Sequence, residues 1–182
     1  VRGKKSLAKV EVYVKKWFEK VCVYFSDVII VDNQVLFDYV KKTYNIESVL
    51  AEYGGDHAIS KPITDELIIK YPFLSKKYDI TVSRAQEDMN IHILIDAYKK
   101  IPERNLVVIS NWEISDYGIN LKSNNKGRYP NIFLQNAVYN LDELNAIRSN
   151  GDIYFHSHSL CGTAPSLTEA MSLSLPVLCF DV

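Results

Sequence analysis

The sequence lacks the features that mark membrane-spanning, secreted and nucleic-acid-binding chains. None of its apolar runs approaches the roughly 20 residues that a helix needs to cross a bilayer. The opening residues Val1 to Lys5 lead into no apolar segment of the secretory type. The 21 lysines and arginines nearly balance the 22 aspartates and glutamates, so no global charge favours a nucleic acid partner. We therefore expect a globular protein of the cytoplasm.

Cysteine is also scarce. The three cysteines, Cys22, Cys161 and Cys179, are odd in number and form no C-x-x-C pair. This usage suits a reducing compartment better than a disulfide framework. We expect free thiols.

What the chain does have is apolar residues, which make up 47% of its 182 positions and suffice to bury a core. Residues 1–52 predict a helix followed by one βαβ unit. The predicted segments are a helix over 6–25, a strand over 27–32, a helix over 33–44 and a strand over 48–52. Residues 62–77 show no clear periodicity and are interpreted as a hinge or linker, with a domain boundary after Lys77.

The first predicted helix is basic and amphipathic. Its apolar residues recur at helical spacing, and Lys9, Lys15, Lys16 and Lys20 fill much of the remaining surface. Packing against a domain core is the commoner use of such a helix. Peripheral contact with a membrane is the alternative that the same pattern leaves open.

Residues 78–182 alternate regularly between strand and helix patterns. The strands are predicted over 78–83, 105–110, 131–135, 152–156 and 176–181, and the helices include 91–100 and 141–148. A repeat of roughly 25 residues fits right-handed βα crossovers and a parallel sheet covered on both faces. The fold class is therefore α/β, a doubly wound Rossmann-like domain. Residues 122–130 are predicted to form a mobile polar loop.

The junction HSHSLCGTAPSLTEAM, from His156 to Met171, joins a strand to a helix at the sheet edge where such folds bind ligands. Small or hydroxylated residues here let backbone N–H groups approach a phosphate, and the helix dipole favours an anion. These residues are Gly162, Thr163, Ala164 and Ser166. Glu169 lies one turn into the helix and could accept a hydrogen bond from a hydroxylated ligand; a solvent-facing glutamate is the alternative.

Pro165 to Met171, followed by Leu175-Pro-Val177, resembles the donor-binding signature of family-four glycosyltransferases with the two-lobed GT-B architecture. The signature usually has two glutamates, and Glu169 matches the second, which pairs with the donor's ribose. Cys161 stands in the position of the first. That substitution, with the surrounding His-Ser and Gly-Thr pairs, is similar to the bacterial rhamnosyltransferase-like branch.

The resemblance extends to Val82-Ser-Arg84 and the following Asp88 to His92, which look like the loop after the lobe's first strand. Arg84 matches the arginine that binds the donor phosphate, where a guanidinium can grip a diphosphate with two hydrogen bonds. A surface salt bridge is the alternative role. Met89 stands where the family usually has a lysine, and Asn90 is expected to supply part of that contact.

Three further segments match more loosely. Residues 131–139, which include Ala137, resemble the stretch whose backbone frames the nucleobase. Residues 141–144 resemble the helix start that follows, and residues 53–56 the end of the amino-terminal lobe. The resemblance thus implies that 1–77 are the end of the acceptor lobe plus linker. It implies that 78–182 are a truncated donor lobe in a fragment of a longer protein.

The activity that the resemblance implies is transfer of a sugar from a nucleotide-sugar to a glycan or lipid-linked acceptor in polysaccharide synthesis, at the inner face of the membrane. The branch suggests dTDP-rhamnose as donor. The family retains anomeric configuration and needs no cofactor or metal, and the sequence has no Asp-x-Asp motif. A sugar-nucleotide epimerase of the same architecture and a non-catalytic nucleotide-sugar-binding module remain alternatives.

Two rival sites involve the same junction. His156, His158 and Cys161 form an H-x-H-x2-C cluster that could begin a zinc site, although no fourth ligand is evident. Cys161 could also be a nucleophile at a helix start. We expect instead that His158 lines the donor pocket, that Cys161 is a small filler and that Trp112 packs a loop.

Overall fold

The computed structural model describes residues 2–159 and 162–180, with only the backbone given for 2–9. The chain forms two compact units, Val1–Tyr53 and Gly54–Val182. The boundary predicted after Lys77 divides an acceptor-lobe part from a donor lobe. It stays a prediction.

The smaller unit contains the expected helix and βαβ unit. Its elements are α1 (Arg2–Phe25), β1 (Ile30–Val31), α2 (Gln34–Tyr44) and β2 (Val49–Leu50), with the two strands parallel. Asn33 caps α2 by accepting a hydrogen bond from the backbone N–H of Leu36, and Asn45 ends it in the left-handed conformation. The strands are shorter than predicted because only two residue pairs form the ladder.

Helix α1 keeps most of its apolar side chains in solvent. Trp17 is 61% exposed, and Val10, Val14, Phe18 and Phe25 are also exposed. Glu19 links α1 to α2 by accepting hydrogen bonds of 2.7 Å from the Tyr39 and Tyr44 hydroxyls. The expected packing of the apolar stripe against a core is thus not seen in the described residues, and the membrane alternative is untested.

The segment interpreted as a hinge or linker is ordered and belongs to the core of the larger unit. It contains α3 (Asp65–Lys70), capped by Thr64, and a 3-10 turn over Pro72–Ser75. Phe73 and Leu74 are buried. The linker prediction was wrong because a helix of six residues is too short to show a hydrophobic period.

Five parallel strands form the sheet of the larger unit, as predicted. They are β3 (Asp79–Val82), β4 (Leu106–Ser110), β5 (Ile132–Asn136), β6 (Tyr154–His156) and β7 (Val177–Cys179). Their order across the sheet is β5-β4-β3-β6-β7. From β3 the chain adds β4 and then β5 on one side of β3. It then returns and adds β6 and β7 on the other side. A doubly wound sheet binds ligands at this switch point, beyond the carboxyl ends of β3 and β6.

Four longer helices cover the sheet: α4 (Ile91–Tyr98), α5 (Asp116–Asn125), α6 (Leu141–Ser149) and α7 (Pro165–Ser172). The prediction of a mobile loop over 122–130 was wrong in its first part, because α5 continues to Asn125. Ser115 caps α5 by accepting from the N–H of Gly118. This helix has almost no apolar face, so its sequence gave no periodic signal.

The core lies on both faces of the sheet, as a doubly wound fold requires. Alternate residues of β4 point to opposite faces. Leu106 and Val108 pack in the cluster with α4, whereas Val107 and Ile109 pack in the cluster that holds Phe73 and residues of α6. The sheet is thereby fixed between two apolar layers, and only its ends are open to ligands.

Candidate functional site

A cavity of about 400 Å³ lies at the switch point. Its walls come from the residues after β3, from the residue two positions after β6, and from the start of α7. They are Ser83, Arg84, Met89, His158, Gly162, Thr163, Ala164, Pro165 and Ser166. Six residues that the sequence predicted for a ligand site meet here: Arg84, His158, Gly162, Thr163, Ala164 and Ser166.

Arg84 brings the positive charge of this cavity. Its side chain is exposed and forms no ion pair within residues 2–159 and 162–180. The alternative of a surface salt bridge is therefore not seen in the described chain. A guanidinium without a carboxylate partner keeps its hydrogen-bond donors for an anionic ligand.

The start of α7 faces the same cavity. Ala164 occupies the capping position and provides no side-chain hydrogen bond to the first turn, and Pro165 is the first helical residue. At Gly162 an added Cβ would meet no atom of the described residues within 4 Å. An uncapped helix start favours an anion, and the prediction that a phosphate binds here stays a prediction.

Two histidine rings at the end of β6 lie in contact, tilted by 45° to each other. The rings of His156 and His158 have centroids 4.0 Å apart. Burial lowers the pKa of His156. Burial, with further contributions from His156 and Arg84, lowers the pKa of His158 to about 4. His158 is consequently neutral at pH 7 and adds no charge beside Arg84.

The two rival hypotheses at this corner depend on Cys161, which lies outside the described residues. Within the described ranges, no group of three or more His, Cys, Asp and Glu side chains is placed to hold a metal ion. Cys22 and Cys179 are free thiols, as predicted.

Asn90 ties the loops after β3 and β6 together. Its backbone is left-handed, with φ of 51°, and its side-chain amide donates to the Ser157 carbonyl at 2.8 Å and to Ser159 Oγ at 2.5 Å. Ser157 Oγ donates in return to the Met89 carbonyl at 2.6 Å. Asn90 thus supports Met89 and the loop in the cavity wall, and its contact with a donor stays a prediction.

Glu169 lies in an adjoining cavity of about 380 Å³ that shares Ser83, Arg84, Pro165 and Ser166 with the first. Its Oε1 is 2.7 Å from His57 Nε2, and its Oε2 is 2.6 Å from Arg148 Nη2. The carboxylate is 15% exposed. The alternative of a solvent-facing glutamate was wrong, because α7 turns this residue toward α6.

Sequence reasoning missed His57 and Arg148. Arg148 is fully buried at the end of α6. Its position on the same helix face as the apolar residues Leu144 and Ile147 could have indicated that it is buried. His57 offered no signal, because it reaches Glu169 across 112 residues of sequence.

Ala137 lines the adjoining cavity and also a third one, of about 340 Å³, beyond β4 and β5. Trp112 borders that third cavity, and its Nε1 donates to the Gln135 carbonyl at 2.6 Å. Its side chain is buried, which confirms the interpretation that it packs a loop. Ala137, in the stretch expected to frame a nucleobase, thus lines the same adjoining cavity as Arg84.

A search of the described helices for one with the length and apolar character to span a bilayer finds none.

No family model and no curated protein sequence matches the chain. Solved structures do match. HepE of Anabaena, crystallised with UDP-glucose, superposes with a TM-score of 0.69 at 15% identity, over 88% of this chain and 46% of that one. Sucrose-phosphate synthase from Thermosynechococcus elongatus gives 0.67 at 16% identity, over 88% and 42%. TarM gives 0.60 at 15% identity, over 90% and 32%.

The chain spans less than half the length of these structures. At such low identity the similarity concerns the fold. The order of strands, the switch-point cavity and these superpositions lead to one structural conclusion: the chain has the Rossmann-like α/β fold of a lobe of the two-lobed GT-B architecture.

Proposed function

We propose that the chain is the nucleotide-sugar-binding part of a glycosyltransferase. The observation that carries the proposal is a convergence on adjoining cavities at the switch point. Arg84, which has no ion pair within the described residues, meets the start of α7, which has no side-chain cap, and the Glu169 carboxylate. Positive charge and backbone donors at one end, and a carboxylate acceptor at the other, match a ligand with a diphosphate and hydroxyl groups.

The similar structures support this choice of ligand. HepE was crystallised with UDP-glucose, and a structure from E. coli that superposes with a TM-score of 0.51 holds UDP-2-fluoro glucose. Both ligands consist of a nucleoside diphosphate joined to a sugar.

In the proposed complex, Arg84 and the N–H groups at the start of α7 bind the diphosphate. Gly162, Thr163 and Ser166 leave it room, and neutral His158 lines its pocket. The resemblance assigns Glu169 to a ribose hydroxyl and the backbone near Ala137 to the base. When the bond from the anomeric carbon to the diphosphate breaks and the bond to an acceptor oxygen forms, these donors stabilise the charge of the leaving diphosphate. The acceptor's proton ends on that diphosphate or in solvent.

The finer assignments rest on the sequence resemblance. We propose a rhamnosyltransferase-like enzyme that uses dTDP-rhamnose, retains configuration and needs no metal. Its acceptor would be a glycan or lipid-linked hydroxyl in polysaccharide synthesis at the cytoplasmic face of the membrane. Acceptor positioning, which sets the reaction rate, is the task of an acceptor lobe.

Calorimetric titration with the diphosphates of thymidine, uridine and guanosine, and with their sugars, tests the proposal. Arg84→Ala should weaken binding about 10- to 100-fold, because it removes charge-assisted hydrogen bonds. Arg128→Ala is the matched control, since Arg128 is exposed and lies outside the described cavity walls. Absence of saturable binding to all of these ligands, or equal effects of both substitutions, would contradict the proposal.

A second candidate is a sugar-nucleotide epimerase. A putative UDP-N-acetylglucosamine 2-epimerase from Listeria monocytogenes superposes with a TM-score of 0.55 at 11% identity, over 88% of this chain and 44% of that one. Epimerisation needs groups that move a proton at a ring carbon, and both oxygens of Glu169 are already engaged. Incubation of the full protein with UDP-N-acetylglucosamine separates the two, because only an epimerase changes the sugar without an acceptor. A non-catalytic module would bind and do neither.

A further inference from the structure

The two oxygens of Glu169 have partners of different kinds. Arg148, on Oε2, has a side chain only 1% exposed, and its Nε and Nη1 have no hydrogen-bond partner in the described residues. Glu169 is therefore the group that compensates this buried charge, and removal of either partner would leave the other uncompensated. The contact at Oε2 is a permanent part of the fold.

The partner on Oε1 is much less buried. The His57 side chain is 48% exposed, and it touches the carboxylate through Nε2 alone. An exposed hydrogen bond of this kind contributes little net free energy, because water or a ligand hydroxyl can replace either partner. The contact at Oε1 can therefore exchange.

The position of His57 is fixed by its backbone. Gly55 packs directly on α7, where an added Cβ would lie 2.7 Å from the Thr168 carbonyl oxygen. The Ala58 N–H donates to the Gly55 carbonyl at 2.9 Å, which closes a turn around His57. The His57 carbonyl also accepts from Asn145 Nδ2 at 3.4 Å. The imidazole is thus held beside Oε1 without depending on the carboxylate for its place.

We propose that Arg148 and His57 are positioning residues for Glu169. Arg148 fixes the carboxylate through Oε2, and His57 occupies Oε1 until a ribose hydroxyl of the nucleotide displaces it. The inference rests on the proposed function, which supplies the ribose. It assigns a role to two side chains that the sequence resemblance did not include.

The test measures the affinity of the chain for dTDP, UDP and GDP and for their 2′,3′-dideoxy forms. The ratio between the two forms reports the contribution of the ribose hydroxyls. His57→Ala should raise both the affinity for the hydroxyl-bearing form and this ratio about threefold, since the competing donor is gone. His57→Gln, whose amide can still donate to Oε1, should keep the values of the parent protein.

The same ratio separates positioning by Arg148 from a purely structural role. Arg148→Met should bring the ratio close to one while the dideoxy form binds as before, and Arg148→Lys should restore most of it. If Arg148→Met does not fold, Arg148→Lys and the His57 pair carry the test. Weaker binding by His57→Ala, or an unchanged ratio, would overturn the inference alone. Failure of every nucleotide to bind would overturn the proposed function with it.

Discussion

The amino and carboxyl ends of the strands in the five-stranded sheet differ in how their buried polar groups are paired. At the amino end of β3, both oxygens of Asp79 are used: Arg104 donates to them at 2.6 and 2.9 Å, and the Tyr98 hydroxyl also donates to Asp79. Pairing with Asp79 raises the pKa of Arg104. Burial and the hydrogen bond to Asp79 raise the pKa of Tyr98. The charged groups at this end are thus paired with one another, although Asp79 and Arg104 also line a cavity of about 170 Å³.

At and near the carboxyl ends, several buried atoms have no partner in the described residues. They are Ser83 Oγ, Asn145 Oδ1, His156 Nδ1, and Arg148 Nε and Nη1. Unsatisfied buried groups cost free energy, so a fold keeps them where a ligand or water completes them. The difference teaches that charged groups at the amino end of the sheet satisfy one another, whereas polar atoms near its carboxyl end lack partners within the described residues.

The largest expected effect on stability comes from Glu169→Ala. It leaves the buried Arg148 guanidinium without its counter-charge, and the free energy of unfolding should fall by about 4 kcal/mol. Urea unfolding measures the loss. Glu169→Gln keeps an oxygen for Arg148 and should cost clearly less. Equal stability of the two variants would show that the Arg148 contact does not stabilise the carboxyl edge.

The next largest effect on stability is expected for Arg104→Met, at the amino end of β3. The buried Asp79 carboxylate loses its cation, and the free energy of unfolding should fall by about 3 kcal/mol, less than for a fully buried pair because Arg104 is partly exposed. Nucleotide affinity, measured in the same preparation, should not change. Arg128→Met is the control. A loss of affinity in Arg104→Met would break the division between the two ends.

The lowered pKa of His158 predicts a smaller effect of pH. Because the pKa of His158 is about 4 in the folded chain and near 6.5 in the unfolded chain, acid protonates the unfolded chain first. The contribution of His158 to stability is present well above pH 6.5, and the free energy of unfolding should fall by about 2 kcal/mol as the pH drops to about 5. His158→Asn should flatten this part of the profile, as followed by urea unfolding at several pH values. An unchanged slope would place the acid sensitivity in other groups.

The smallest expected effect on stability belongs to Arg84→Ala. Arg84 is exposed and has no ion pair in the described residues, so the free energy of unfolding should change by less than about 0.5 kcal/mol. Thermal unfolding without ligand checks this. A larger loss would mean that Arg84 supports the fold, and its effect on nucleotide binding would then need a different explanation.

The sequence predicted the sheet well because its strands are short apolar runs with regular spacing, a pattern that β4 and β6 show clearly. The rule that ligands bind beyond the carboxyl ends of parallel strands pointed to the Gly162 junction, and the family resemblance implied that Arg84 belongs to the same site. The sequence did not predict α3, which is too short for periodicity, or α5, which has no apolar face. Nor could it predict the pairing of His57 and Arg148 with Glu169, since no local pattern encodes contacts between distant segments.

The hydrogen bonds of Asn90 and Ser157 have a consequence for the entropy of binding. They join the loop after β3 to the loop after β6 before any ligand arrives. Immobilising a side chain at an interface costs about 0.5–1.5 kcal/mol, and a loop that must be ordered costs more. Here folding has already fixed the two segments at Asn90 and Ser157. If the cavity binds an anion as proposed, these supports need no further ordering on binding, and the affinity is not reduced by that entropy cost.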